Sequence, residues 1–150
     1  MSLSVDVSAE GVRVPLARAR VAELVRGVLR AEKVRDAMIS VAFLDDRAMA
    51  RLNREHLGHR GSTDVISFGM SAPGGPVIGD VYVAPAVVRA NARANRRPVR
   101  EELARVVVHG TLHVLGHDHP EGEERLASPM WARQERLLAR LARLAPDARA

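Results

Sequence analysis

Four of the six histidines fall within one eleven-residue run, His109-Gly110-Thr111-Leu112-His113-Val114-Leu115-Gly116-His117-Asp118-His119. His109 and His113 stand four residues apart. On an α-helix that spacing puts two imidazoles on one face, with Cβ atoms about 5–6 Å apart. Both rings then reach one ion at the ~2.0–2.1 Å of a Zn–N bond. Gly116 can leave the helix with positive φ at little cost, and His119 swings back toward the same point. Three neutral imidazoles with an open fourth position form the ligand set of a catalytic zinc, whereas a structural zinc closes with four protein ligands. Nickel, copper and iron also accept imidazole.

Two histidines on a helix are often only surface residues. This helix is different, because Leu103, Val106, Val107, Val108, Leu112, Val114 and Leu115 leave it apolar nearly all round, the pattern of a buried helix. A buried polar ring without a partner costs about 1–3 kcal/mol, and a shared metal satisfies two rings at once. The spacing His-x-x-x-His-x-x-Gly-x-x-His is that of the metzincin metalloproteases. In those enzymes a Glu follows the first histidine and acts as general base; here the residue is Gly110. The site therefore reads as a hydrolase whose substrate is not a peptide, or whose base lies elsewhere.

The elements that must hold these rings follow from the hydrophobic periodicity. Residues 3–7 alternate as a short strand. Residues 15–30 carry Val21, Leu24, Val25, Val28 and Leu29 at helical spacing, with Pro15 suited to a first turn. Residues 38–44 form a second strand whose nearly continuous apolar run predicts burial on both faces. Asp45 or Asp46 caps the next helix, which carries Met49, Leu52 and Asn53 and ends near Leu57-Gly58. Residues 65–68 and 79–84 are the third and fourth strands, separated by the Pro/Gly loop at 71–76. Pro85 opens a helix to about residue 95, and the histidine helix runs from about 99 to 115. A last helix spans about 123–144, with Leu126 and Met130 on its apolar side, and residues 145–150 form a frayed tail. Strands interleaved with helices predict a single α/β-type layer structure.

At 150 residues, with 47% hydrophobic and 27% charged content, the chain is expected to be one globular domain with a proper core. It has no cysteine, which excludes disulfides and thiolate metal sites. No signal-like or membrane-spanning segment is evident, and a cytoplasmic setting is expected. The net charge of +5 favours polyanionic partners. Lys33 is the only lysine, however, and the excess of arginine with abundant alanine fits a codon-biased genome, so charge supports a nucleic-acid role only modestly.

The histidine run resembles the signature of the YbeY family, bacterial metal-dependent endoribonucleases of ribosomal RNA maturation. Leu52-Asn53, Thr63-Asp64-Val65-Ile66-Ser67-Phe68 and Gly79-Asp80-Val81 resemble family blocks in family order, so the resemblance spans residues 44–138. It implies a compact α+β domain with a four-stranded mixed sheet, about five helices and a metzincin-like metal helix. It implies one Zn2+ per chain on His109, His113 and His119. It also implies cleavage of single-stranded RNA, processing of the 16S rRNA 3′ end, and contact with the small ribosomal subunit and its assembly factors, with no DNA or membrane partner. Two positions depart from the family pattern. His117 replaces the usual Tyr before Asp-His, and Leu57 stands where many members carry an arginine assigned to the RNA cleft; either Arg60 substitutes for it or this branch handles RNA differently.

Other roles are weighed against blander ones. Asp118, beside a ligand, either orients a histidine, accepts a proton, or caps a turn. His117 is a fourth ligand, a general acid or an exposed side chain. Arg89, Arg93, Arg96 and Arg97 read as a stripe along one helix face, suited to a phosphate backbone or simply to solvent. Met130 and Trp131 read as core residues. The main alternative to an enzyme is a non-catalytic RNA-binding assembly factor with a structural metal.

Overall fold

The computed structural model describes residues 1–58 and 61–144; the expected tail at 145–150 and Arg60 lie outside them. Four strands, β1 (Leu3–Ala9), β2 (Ala37–Phe43), β3 (Val65–Gly69) and β4 (Val77–Val83), form one sheet in the order β1-β2-β4-β3. β1, β2 and β4 run parallel, and β3 is antiparallel to β4. The parallel register aligns Val5 with Ile39, Val7 with Val41, Val41 with Val81 and Phe43 with Val83. Period-two alternation puts all of these on one face.

That face is covered by α1 (Arg18–Ala31), α3 (Pro85–Ala94), α4 (Val99–Val114) and α5 (Pro129–Leu144). Val21, Leu24, Val28, Val88, Leu103, Val107, Leu112 and Leu137 join the strand residues in one continuous core. Each fully buried Val, Leu or Phe contributes about 1.5–3 kcal/mol relative to an exposed one. The opposite face carries only a smaller cluster of Met49, Ile66 and Ala84, with Leu52, Phe68, Tyr82 and Val87 against it. This corrects the expectation for β2. Its burial alternates, and Met38 is 59% exposed, because helices cover the second face only near α2 (Asp46–Leu52).

Two other expectations shift. α1 starts at Arg18, after a turn in which Leu16 is buried. The last helix starts at Pro129, after a 3-10 segment (Gly122–Ala127) in which Leu126 is 55% exposed. Ser128 makes that break: its Oγ accepts from the Trp131 N–H at 3.2 Å and donates to the Arg125 carbonyl at 2.7 Å, an N-cap followed by proline in the first helical position. At the α2 entrance Asp45 accepts from the Ala48 N–H at 2.8 Å, and α2 runs on through a π-helical turn, Asn53–Leu57, to Gly58 in the left-handed region.

α4 lies unusually close to the sheet because glycines leave room for it. A Cβ on Gly110 would sit 2.7 Å from Val81 Cγ1, and one on Gly79 would sit 2.4 Å from Val114 Cγ1. The Ser67 hydroxyl donates to the Gly110 carbonyl at 2.9 Å. The helix is thereby pressed onto β3 and β4, and its other side carries the histidines.

Candidate metal centre

His109 and His113 project from successive turns of α4, with ring centroids 4.6 Å apart. After the helix the chain turns through Gly116 at φ +97°, and His119 returns to lie 5.1 Å from His109 and 5.0 Å from His113, centroid to centroid. One ring nitrogen from each of the three lies within 4.8 Å of the others.

The second nitrogen of every ring is already engaged. Nδ1 of His109 donates to Gln134 Oε1 at 2.6 Å, Nδ1 of His113 to the His117 carbonyl at 2.9 Å, and Nδ1 of His119 to the Pro120 carbonyl at 2.8 Å. Carbonyl and amide oxygens only accept, so each ring carries its proton on Nδ1 and presents the Nε2 lone pair. Three convergent, unprotonated nitrogens fit a divalent cation with nitrogen ligands, and the outer hydrogen bonds are those that fix the tautomer of a metal-bound imidazole. Burial pushes His109 down to about 4. It also lowers His113, reinforced by the neighbouring His119. Both therefore stay neutral near pH 7, the form that binds metal.

Gln134 is fully buried on α5, and its amide nitrogen donates to Glu135 Oε2 at 3.0 Å. That bond turns the amide oxygen toward His109. Glu135 in turn accepts two hydrogen bonds from Arg105, at 2.9 and 3.0 Å, and Arg105 also donates to Glu102 at 2.6 Å. Burial alone would raise the Glu135 carboxyl, but the Arg105 pairing outweighs it and holds it below its usual range.

His117 does not join the cluster and is not simply exposed. Its Nε2 pairs with Glu32 Oε1 at 2.6 Å, and the other Glu32 oxygen takes the Arg133 guanidinium at 2.7–2.8 Å. Asp118 is exposed, and its Oδ1 accepts from the His119 N–H at 2.8 Å, the bond of a turn carboxylate next to the third ring. Gly110, in the metzincin base position, faces the sheet, so no side chain fits there. Leu57 is exposed at the end of the π turn, and Arg60 lies outside the described residues.

Beside His109 opens a cavity of about 350 Å³, lined among others by Asp64, Asn91, Arg97, Arg125 and Trp131. Burial raises the Asp64 carboxyl, although the Val65 N–H bonded to it and nearby Arg125 counteract this. Trp131 is a half-buried wall residue, not core, with the Arg125 guanidinium carbon 5.7 Å from its ring centroid. The arginine stripe is also broken up. α3 ends at Ala94, Arg96 sits in the turn at φ 54°, Arg89 donates to the Arg13 carbonyl at 2.7 Å, and Arg97 pairs with Glu102 at 3.6 Å.

Sequence reasoning missed Gln134, Glu135, Glu32 and Arg133, and it gave Asp64 no role. Only an unexplained polar Gln134 inside the apolar pattern of α5 could have drawn attention to one of them.

A family model described as Endoribonuclease YbeY matches residues 6–142. An Endoribonuclease YbeY of Anaeromyxobacter sp. (strain Fw109-5) is 39% identical over 140 residues, covering 92% of this chain and 71% of its own length. One from Thermobifida fusca (strain YX) is 35% identical over 147 residues, covering 91% and 93%. The solution structure of a Thermotoga maritima protein superposes with a TM-score of 0.62 at 25% identity, covering 95% of this chain and 93% of that one.

Proposed function

The chain belongs to the YbeY endoribonuclease family, and from that membership we propose a zinc-dependent enzyme that cuts single-stranded RNA while maturing the 3′ end of 16S ribosomal RNA. The observation that carries the metal-dependent part is the trio of rings whose Nδ1 protons are all committed to oxygen acceptors, leaving three lone pairs on one point.

In this reading His109, His113 and His119 hold the ion. When bound, it supplies Lewis-acid chemistry, acidifying water and drawing charge from a phosphoryl oxygen. The chain's own groups do the rest. Gln134 and the two backbone carbonyls keep each ring proton on Nδ1. Asp118, at the exposed rim, passes a proton to or from solvent beside the third ring. Arg97 and Arg125 line the adjoining cavity and neutralise phosphates of the backbone. Arg60 takes the role of the arginine that Leu57 replaces. The partners are the small ribosomal subunit and its assembly factors, in the cytoplasm; no helix among the described residues is long and apolar enough to cross a membrane.

The test is metal analysis of the purified protein beside His113→Ala, together with a cleavage assay on single-stranded RNA. Wild type is expected to hold one zinc per chain and cut; the variant is expected to do neither. Wild-type protein that carries its metal and leaves RNA intact would refute the reading.

A further inference from the structure

We propose that the cavity beside His109 is a nucleotide subsite, with the base against the Trp131 indole and the phosphate against Arg97 and Arg125. Its volume of about 350 Å³ lies at the small end of the ~300–1,000 Å³ range of small-molecule sites, the size of one nucleotide rather than of a duplex. The lining is not that of a packing defect, which is apolar and dry. It contains an indole, the guanidinium groups of Arg97, Arg105 and Arg125, the Asp64 and Glu102 carboxyls, the Asn91 amide and the ring of His109.

Most of these groups match a part of a nucleotide. The indole offers a π-face on which any base stacks, and the Arg125 guanidinium carbon, 5.7 Å from the ring centroid, is close enough to meet the phosphate of a nucleotide bound there. Neither Arg97 nor Arg125 is sealed away. Arg125 is exposed, and the Arg97 side chain, although paired with Glu102 at 3.6 Å, is 38% exposed, so both can be reached by an incoming phosphate. Asn91, with one acceptor and two donors on its amide, and the Asp64 acceptor suit a base edge. His109 is shared between this cavity and the histidine cluster, so a nucleotide bound here has its neighbouring phosphodiester next to the three rings. The subsite rests on the endoribonuclease reading, and it adds a chain-specific grip on the residue flanking the scissile bond.

Trp131 is the only tryptophan, so its fluorescence reports from the cavity alone. Metal-loaded protein titrated with each nucleoside 5′-monophosphate is expected to show saturable quenching, weaker with the bare nucleosides and competed by short single-stranded RNA. Asn91→Ala should weaken the mononucleotide by about ten-fold with an unchanged melting temperature. Trp131→Ala should raise KM for short RNA by about ten-fold or more with unchanged metal content, and Trp131→Phe, which keeps a stacking ring, should restore most of it. Quenching that rises linearly without saturation, as for a free tryptophan analogue, overturns the subsite. So does a Trp131→Ala enzyme with wild-type KM and cleavage pattern, and that result leaves the endoribonuclease reading standing. Saturable quenching by a wild-type protein that leaves RNA intact supports the subsite while removing that reading.

Discussion

The Gln134 amide joins His109 to Glu135: its oxygen accepts from His109 Nδ1 at 2.6 Å, and its nitrogen donates to a Glu135 carboxylate oxygen at 3.0 Å. A residue 25 positions further along the chain thus decides which nitrogen of the first histidine is free. Replacing it with leucine keeps the volume and removes the acceptor. Gln134→Leu is expected to weaken zinc binding by about 10–100-fold, measured by competition with a metal indicator, while Gln134→Glu retains most of the affinity. Equal affinities for Leu and wild type would show that the ring needs no such partner.

The neutral state of the buried rings gives the metal-free protein a defined pH response. His109 is held near 4 in the fold by burial, against 6.5 when unfolded, and His113 is shifted the same way. The unfolded chain therefore binds more protons between these values, and folding stability falls as pH drops. The histidine contribution is fully present above about pH 6.5 and is lost as pH falls toward 4. Urea denaturation of chelated protein across this window should show a steeper loss for wild type than for His109→Asn. Parallel pH profiles would contradict the assignment.

Gly110 is a packing residue, not a vacant catalytic position. Gly110→Ala would drive a methyl against Val81, Val65 and Ser67, and overpacking of this kind costs about 1–3 kcal/mol. The unfolding free energy should fall by that amount, seen as a lower denaturation midpoint with the m-value unchanged. Val81→Ala in the same background should recover part of the loss, since Val81 Cγ1 is the nearest obstacle.

The main core excludes the three histidines. Its members, from Val21 to Leu137, pack between the sheet and α1, α3, α4 and α5. Chelation should accordingly remove the binding contribution to stability, about 4 kcal/mol when the metal was present at a thousand times its dissociation constant, seen as a lower melting temperature, and leave far-UV circular dichroism at 25 °C unchanged. Unfolding on chelation at 25 °C would instead mark the metal as structural and favour a binding factor over an enzyme.

What could be read from the sequence was what is local. His109 and His113 stand four apart on one helix, the alternation of residues 3–7 marks β1, and Asp45 caps the helix it precedes; each depends on neighbours a few residues away. Two local readings still failed because a periodic pattern continued past a break. Leu126 extended the last helix across Ser128-Pro129, and Arg96 and Arg97 extended a stripe beyond the end of α3. The residues that orient the rings could not be read in this way. Gln134 meets His109, and Glu32 meets His117 and Arg133, only after α1, α4 and α5 have packed together. Trp131 was read with Met130 as core, whereas only Met130 is buried and Trp131, on the first turn of α5, lines the cavity.

The Glu32 carboxylate binds both His117, two residues before the third ring, and Arg133 on the final helix, and Gln134 of that same helix orients the first ring. A helix that follows the histidines in the chain therefore supplies supports of a centre whose ligands precede it. A nascent polypeptide still lacking α5 has His113 and His119 held by backbone carbonyls but His109 without its acceptor. The geometry around His109 is therefore complete only once α5 has packed against α4.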